Sequence, residues 1–378
     1  MQKRVYISVI NDLVTDQRVH RISKTIRNSG YPVTIIGRRF RNSKPCILSG
    51  IKTKRFRLIF NKGFLFYASY NIRLFFYLLT RKGYLILVAN DLDTLPAGFL
   101  ISKLRQGKLV YDSHEYFTEV PELQGRTFVK NFWKQIEKIL VPKVDAAYTV
   151  NESLGKMYSV KYGIEFGVIR NVPDSYVEEE KFNLPEDYND NNFIIYQGAV
   201  NKDRGLDEVI EIIYEEKAIK LIVAGDGDVM KGLRNKVKFL GVEDRVFFTG
   251  KLRPAELKWL TRQAALGISL EKKTNLNYYY ALPNKIFDYI HAGIPVLCSG
   301  FPEMRKIVQK YDVGRIVDSE KREDIRKNIK LMLEDDLRRQ KWKENAKTAA
   351  SELNWENEQN KLISIYKKVG VELTLDSV

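Results

Sequence analysis

Short apolar runs rich in strand formers recur along the whole chain, and a helical stretch separates each from the next. "RVYISVI" (4–10), "YPVTIIG" (31–37), "YLILVAN" (84–90), "LVYDS" (109–113) and "AAYTV" (146–150) mark the first half. "FIIYQGA" (193–199), "IKLIVAGDGD" (219–228), "RVFFTGKL" (245–252), "LGISL" (266–270), "PVLCSG" (295–300) and "VGRIVD" (313–318) mark the second. Between them lie helical segments such as 15–30, where Thr15 is the expected N-cap, Val19, Ile22 and Ile26 form one stripe and Gly30 is the stop. Others are Leu95–Leu104, Val129–Leu140, Leu206–Tyr214, Val229–Phe239 and Pro254–Gln263, and a helical tail runs from Glu323 to Val369. Parallel strands need crossovers of this kind, so the alternation predicts α/β architecture with parallel sheets wrapped by helices.

The chain has 378 residues and 44% hydrophobic content, enough for two cores. The rhythm breaks once, at "NVPDSYVEEEKFNLPEDYNDNN" (171–192), which carries two prolines, five asparagines and a cluster of acids. Two doubly wound, Rossmann-like parallel-sheet domains are therefore expected, 1–170 and 171–355, followed by a last helical segment, 356–378, that can cross back to the first domain. Ligands of such sheets bind at the carboxyl ends of the strands, here in a cleft that the two domains face.

Cys46 and Cys298 lie far apart and form neither a metal spacing nor a disulfide framework, which fits a reducing compartment. The first residues read as a strand and not as a signal peptide. No run of about 18 uncharged apolar residues is present. The nearest, Leu58–Leu79, is interrupted by Lys62, Asn71 and Arg73; it reads as core packing, with a surface that dips into lipid headgroups as the alternative. The net charge of +16 is lopsided. Residues 1–170 hold 29 Lys and Arg against 12 Asp and Glu, whereas residues 171–378 hold 34 against 35. An anionic partner for the first half follows: a membrane surface, a nucleic acid or a phosphorylated substrate, with a merely soluble basic surface as the plain alternative.

"LPNKIFDYIHAGIPVL" (282–297) is the densest chemical signal. Pro283 suits the first position of a helix, and the free amides of Asn284, Lys285 and Ile286 then form an anion site to which Lys285 adds charge. Asp288, one turn further on, can accept the paired hydrogen bonds of a ribose diol, or simply complement the helix dipole. "YQGAVNKDRG" (196–205) places Gly198, Arg204 and Gly205 at another strand end. "VAGDGD" adds Gly225, and "FTGKL" adds Gly250 and Lys251. In the first half, His114 and Glu115 of "DSHEY" also follow a strand. Asp91 and Asp93 of "NDLDT" have the Asp-x-Asp spacing of a metal site, but Thr94 and Pro96 make helix capping the better account of Asp93. No metal is expected.

Together "GAVNKDRG", "GDGD", "FTGKL", "LPNKIFDYIHAGIPVL" and "PEM" resemble the nucleotide-binding domain of family 4 glycosyltransferases. The front segments "VTDQRVHRISKTIRNSGYPVTIIGRR", "NDLDTLPAGFL" and "LVYDSHEYFTEVPEL" are similar to bacterial members of that family. The resemblance implies the GT-B fold and retaining transfer of a sugar from a nucleotide diphosphate sugar to a glycan or lipid-linked acceptor, without a cofactor or a required metal. It assigns Arg204 and Lys285, with Asn284, to the donor diphosphate and Asp288 to the ribose. It sets Gly198 and Gly225 at the donor-side turns, Gly250 and Lys251 near the base, and His114 on the cleft side of the acceptor domain. The first strand-to-helix loop would border the acceptor, making Asp16 and Arg18 candidate contacts. Two positions depart from the pattern. Tyr280 stands where the family has its first glutamate, leaving Glu271 on an adjacent loop as the candidate to take its part, and Ala199 stands where an arginine is usual. The basic first domain implies a cytoplasmic protein, peripheral on the inner face of the membrane. Alternatives are a GT-B nucleotide-sugar epimerase and an inactive nucleotide-binding relative. A nucleic-acid partner is not expected, because the cations are scattered and no recognition motif is present.

Overall fold

The computed structural model describes residues 3–176, 178–188 and 192–373. The end of the expected last segment, 374–378, and four residues of the proline- and asparagine-rich break, 177 and 189–191, lie outside the described residues. The chain forms two compact units, Met1–Asn171 with Glu358–Val378, and Val172–Asn357.

The first unit is built from β1 (Lys3–Ser8), α1 (Gln17–Asn28), β2 (Val33–Arg38), β3 (Lys52–Phe56), α2 (Gly63–Leu79), β4 (Tyr84–Asn90), α3 (Leu95–Leu104), β5 (Lys108–Ser113), α4 (Thr127–Leu140), β6 (Ala146–Thr149), α5 (Glu152–Tyr162) and β7 (Phe166–Val168). Its strands form one parallel sheet in the order β3-β2-β1-β4-β5-β6-β7. The central strands β1, β4 and β5 are buried on both faces, which is why they read as continuous apolar runs. The outer strands β3 ("KTKRF") and β7 (three residues) escape the apolar pattern, because an edge strand needs no second buried face.

The second unit follows with β8 (Phe193–Ala199), α6 (Leu206–Glu215), β9 (Lys220–Asp226), α7 (Met230–Leu240), β10 (Val246–Gly250), α8 (Pro254–Gln263), β11 (Leu266–Ser269), α9 (Leu276–Tyr279), α10 (Asn284–Ala292), β12 (Val296–Ser299), α11 (Pro302–Tyr311), β13 (Gly314–Val317), α12 (Arg322–Glu334) and α13 (Asp336–Glu352). Its parallel sheet runs β10-β9-β8-β11-β12-β13. In each sheet the direction of winding reverses once, at β1/β4 and at β8/β11. These are the switch points where loops diverge and leave room for a ligand. One core layer packs Phe287, Ile290 and Met304 under the sheet, and a second packs Ile210, Ile213 and Trp342 on its other side.

The last helix, α14 (Trp355–Lys368), begins in the second unit, and its residues from Glu358 onward belong to the first. There Glu358 accepts the Arg170 amide at 2.8 Å, and the buried Tyr366 lies 3.4 Å from the Tyr148 hydroxyl. Ile365 fills the space that a side chain at Gly167 would need.

Three helix details differ from expectation. Helix α1 is capped by Asp16, whose carboxylate accepts the Val19 amide at 3.1 Å, and not by Thr15. Helix α3 has Thr94 at its cap position, its hydroxyl turned to the Asn90 carbonyl at 3.0 Å, and Asp93 makes no cap hydrogen bond. Pro283 is the N-cap of α10, one position before the helix proper. The Leu58–Leu79 run is only half core. Phe66, Tyr70, Leu74 and Leu78 form a buried i,i+4 row on α2, while Phe64 (67% exposed), Ile72 and Phe76 (60%) form an outward row. Neighbouring helices continue that outward face: Leu100 and Leu104 on α3, and Phe128 and Phe132 on α4, with Phe132 edge-on to Phe64 at 6.0 Å. No helix among the described residues is long and apolar enough to cross a membrane.

Candidate functional site

In the second unit the strand ends bring two cations to one carboxylate. Arg204 sits in the loop after β8 and Lys285 in the first turn of α10. The Glu271 carboxylate, two residues past the end of β11, receives Arg204 Nη1 at 3.0 Å and Lys285 Nζ at 3.3 Å, both on Oε1. Its other oxygen accepts the Ser269 hydroxyl at 2.8 Å. Glu271 is 1% exposed. Burial pushes its carboxyl pKa up, but Lys285 and Arg204 together outweigh that and hold it below the usual glutamate value. Aromatic rings steady both cations, Arg204 at 4.3 Å from the Tyr278 ring centre and Lys285 at 3.9 Å from that of Tyr196. The Nε of Arg204 is buried and has no hydrogen-bond partner.

Glycines make this approach possible. Gly205 (φ +75°) opens α6 so close to β11 that a Cβ would lie 2.4 Å from the Leu270 carbonyl oxygen. Gly225 (φ +154°) lets β9 pass Gly198, where a Cβ would sit 1.9 Å from the Gly198 oxygen. Gly198 itself is at φ +113°, beside the Lys285 stem. Gly250 (φ +69°) ends β10, and Lys251 follows it at the surface.

At α10 the amides of Asn284 and Lys285 open the helix, and that of Ile286 turns back to the Pro283 carbonyl at 3.1 Å. The start of the helix therefore offers two leading amides and not the expected three. Asp288 accepts a hydrogen bond from the Gln197 amide at 2.8 Å, and the Gln197 carbonyl oxygen accepts from Thr261 at 2.6 Å. Tyr289 fixes the same strand end by accepting the Gln197 backbone N–H at 3.2 Å and donating to the Ile268 carbonyl at 3.0 Å. Gln197, Thr261, Tyr196 and Tyr278 were not singled out by sequence reasoning. The strand-end position of Gln197 was a usable signal; the aromatic stacking was not, since it depends on contacts distant in sequence. A cavity of about 220 Å³ adjoins Glu271, lined by Gly205, Leu270, Tyr279, Ser299 and Phe301 among others. Tyr280 follows the short helix α9, and Ala199 is exposed at the end of β8.

His114 belongs to the first unit, at the end of β5. Its backbone N–H donates to Asp91 at 2.8 Å, and its Nε2 lies 3.0 Å from Asn90 Oδ1 and 3.2 Å from Asp112 Oδ2. Nδ1 faces Asp91 at 3.5 Å. Burial alone would lower the imidazole pKa; Asp91 and Asp112 overcome it and raise it to about 9. The ring is therefore an imidazolium at neutral pH, suited to donating hydrogen bonds and not to taking a proton. Asp91 is held at φ +60° to make this contact. The two proposed acceptor contacts are otherwise engaged. Asp16 takes Asn11 Nδ2 at 2.6 Å besides capping α1, and Arg18 is 3% exposed, forked onto Asp112 at 2.7 Å and onto the Ile169 carbonyl at 2.7 Å. Arg18 thus secures the carboxylate that orients His114. Asp93 is buried with one oxygen unpartnered, and burial raises its pKa well above the usual value.

Residues 177–349 match the family described as glycosyl transferases group 1. Alpha-monoglucosyldiacylglycerol synthase of Streptococcus pneumoniae is 26% identical over 106 residues, 28% of this chain and 23% of that protein. Chitobiosyldiphosphodolichol beta-mannosyltransferase of Candida albicans is 25% identical over 245 residues, 57% of this chain and 52% of that protein. The chain thus spans about half or less of the length of these curated relatives. Among solved structures, sucrose-phosphate synthase from Thermosynechococcus elongatus superposes with a TM-score of 0.81 at 14% identity, covering 98% of this chain and 99% of that one. Anabaena Alr3699/HepE, solved in complex with UDP and glucose, gives 0.73 at 15% identity, covering 96% and 99%. WaaG, a glycosyltransferase of lipopolysaccharide biosynthesis, gives 0.70 at 15% identity, covering 96% and 99%.

Proposed function

We propose that this protein, whose residues 177–349 belong to the glycosyl transferases group 1 and whose chain has the GT-B fold, moves a sugar from a nucleotide diphosphate sugar to a glycan or lipid-linked acceptor. The observation that carries this reading is the convergence of Arg204 and Lys285 on Glu271 at the second sheet's switch point. In the reaction the bond from the anomeric carbon to the diphosphate oxygen breaks, and negative charge grows on that oxygen. Arg204 and Lys285, with the leading amides of α10, stabilise it in place, and the unpartnered Arg204 Nε is a donor kept for the ligand. Fixed cations take the part that a metal plays elsewhere. Glu271 holds the two cations apart and aligned, and occupies the role that Tyr280 leaves vacant. Asp288 receives the ribose, Gly198 and Gly225 let the backbone approach the diphosphate, and Gly250 and Lys251 border the base. Transfer proceeds with retention at the anomeric carbon. His114, an imidazolium, donates a hydrogen bond to the sugar and is not a general base.

The protein works at the cytoplasmic membrane face. What supports this is the outward apolar row of α2, α3 and α4 set among Lys62, Arg73, Lys103 and Lys138. Apolar side chains enter the interface while lysines and arginines meet anionic headgroups.

A thermal-shift screen of nucleoside diphosphates tests the donor site, since a ligand that binds the native state raises the melting temperature. Arg204→Ala removes one charge-assisted contact of about 1.5–3 kcal/mol and slows transfer about ten- to a hundredfold. A protein stabilised by no nucleoside diphosphate, or an Arg204→Ala variant of unchanged turnover, rejects the reading. Stabilisation without turnover in the wild type selects the inactive relative.

A further inference from the structure

The first unit carries a second anion-receptive place, away from His114. After β2 the chain turns through Arg39, Phe40, Arg41 and Asn42. These residues, with Arg57, Leu58 and Asn61 from the segment leading into α2, line a hollow of about 550 Å³. Three of the lining residues are arginines and none is acidic. Among the described residues no carboxylate pairs with Arg39, Arg41 or Arg57, and these three meet around one hollow. Three like charges around one hollow repel each other until an anion joins them. The rim is oily. Ile59 is 80% exposed, Phe60 is exposed beside it, and Phe64 starts the outward row that runs through Ile72 to Phe76. Guanidinium forks suit phosphate oxygens, and an apolar track leading away from them suits a hydrocarbon chain.

We propose that this hollow binds the phosphate or diphosphate of a lipid-borne acceptor, with the exposed row of α2 receiving the start of its hydrocarbon chain. The word acceptor rests on the transferase reading; the binding of a lipid phosphate does not. Bulk membrane charge alone would ask for cations spread over a face. Here three unpaired arginines share one concavity next to the apolar row, which asks for a compact, multiply charged head.

The test uses the full chain and phosphatidylcholine vesicles doped with a polyprenyl diphosphate, or with phosphatidylglycerol at equal charge. The wild type is expected to co-sediment at least tenfold better with the polyprenyl diphosphate vesicles. The triple variant Arg39→Gln, Arg41→Gln, Arg57→Gln is expected to lose about fivefold per arginine, roughly a hundredfold in all. Phe64→Ser with Phe76→Ser is expected to weaken binding to the polyprenyl lipid while leaving affinity for soluble pyrophosphate unchanged. Equal binding to both vesicle types means bulk charge only and overturns the proposal. So does an unaffected triple variant, or soluble pyrophosphate binding as tightly as the lipid. The arginines are exposed, so the triple variant should fold; an unchanged melting temperature and nucleoside diphosphate response confirm it. If no nucleoside diphosphate stabilises even the wild type, the transferase reading fails, while the vesicle result still stands or falls by itself.

Discussion

Replacing Glu271 by glutamine separates two roles of that carboxylate. The substitution keeps the shape and the Ser269 contact but removes the charge facing Arg204 at 3.0 Å and Lys285 at 3.3 Å. Removing one partner of a buried pair costs about 3–5 kcal/mol, because the remaining charge stays buried. Here two cations are left, but glutamine still offers one oxygen, so the low end, about 3 kcal/mol, is expected. For a unit of this size that lowers the melting temperature of the second unit by roughly 6–12 °C. Ligand binding should move the opposite way. On the proposed reading, a diphosphate bound to the wild type shares its cations with Glu271, and in the variant it supplies the missing negative charge. Affinity for a nucleoside diphosphate should rise about tenfold, or ~1.4 kcal/mol, even as sugar transfer falls. Differential scanning calorimetry with and without UDP, together with titration calorimetry, reads both effects. The pH dependence is a further check. The folded-state pKa of Glu271 is depressed below its unfolded value of about 4.3, so its contribution is present above that pH and is lost as pH falls through the folded pKa. The glutamine variant should lack that acid slope. Unchanged melting and unchanged UDP affinity would refute the idea that Glu271 holds the two cations in register.

Three other outcomes are expected. His114 titrates at about 9 when folded against about 6.5 unfolded, so its contribution is complete below pH 6.5 and fades as pH rises to 9, by at most about 3 kcal/mol; denaturant midpoints at pH 6, 7.5 and 9.5 should fall for the wild type and stay flatter for His114→Asn. Gly205→Ala forces a Cβ to 2.4 Å from the Leu270 oxygen at φ +75°, and should destabilise the second unit by about 1–3 kcal/mol in chemical unfolding. Asp288→Asn should weaken nucleotide binding severalfold in titration calorimetry, with an unchanged far-UV spectrum.

The sheets were legible because each buried parallel strand is a run of strand formers, and the glycine turns were legible because left-handed backbone calls for glycine. Helix starts were less so: Thr15 and Asp16 are both good caps, and only the side-chain direction chooses Asp16. The α2 segment misled for a different reason. A helix apolar on all sides reads as core, and nothing local says that Ile72 and Phe76 lack a covering layer. In the candidate site the strand-end loop of Arg204 and the helix start of Lys285 could be read from the residues, whereas Glu271 came only from the resemblance. Their meeting at one oxygen could not, since it depends on three separate segments arriving together. Likewise "QRV" gives no hint that Arg18 will be buried against Asp112, 94 positions further on.

Because α14 hands its final turns to the first unit, the chain crosses between the units twice, near Asn171 and near Asn357. On the ribosome the unit that is encoded first must wait for Leu362, Ile365 and Tyr366 before its own interior is sealed, whereas the one encoded second has every part it needs by then. The order of translation and the order of completion are therefore reversed. A nascent chain stopped just before Glu358 would display a finished second unit tethered to an unfinished first one.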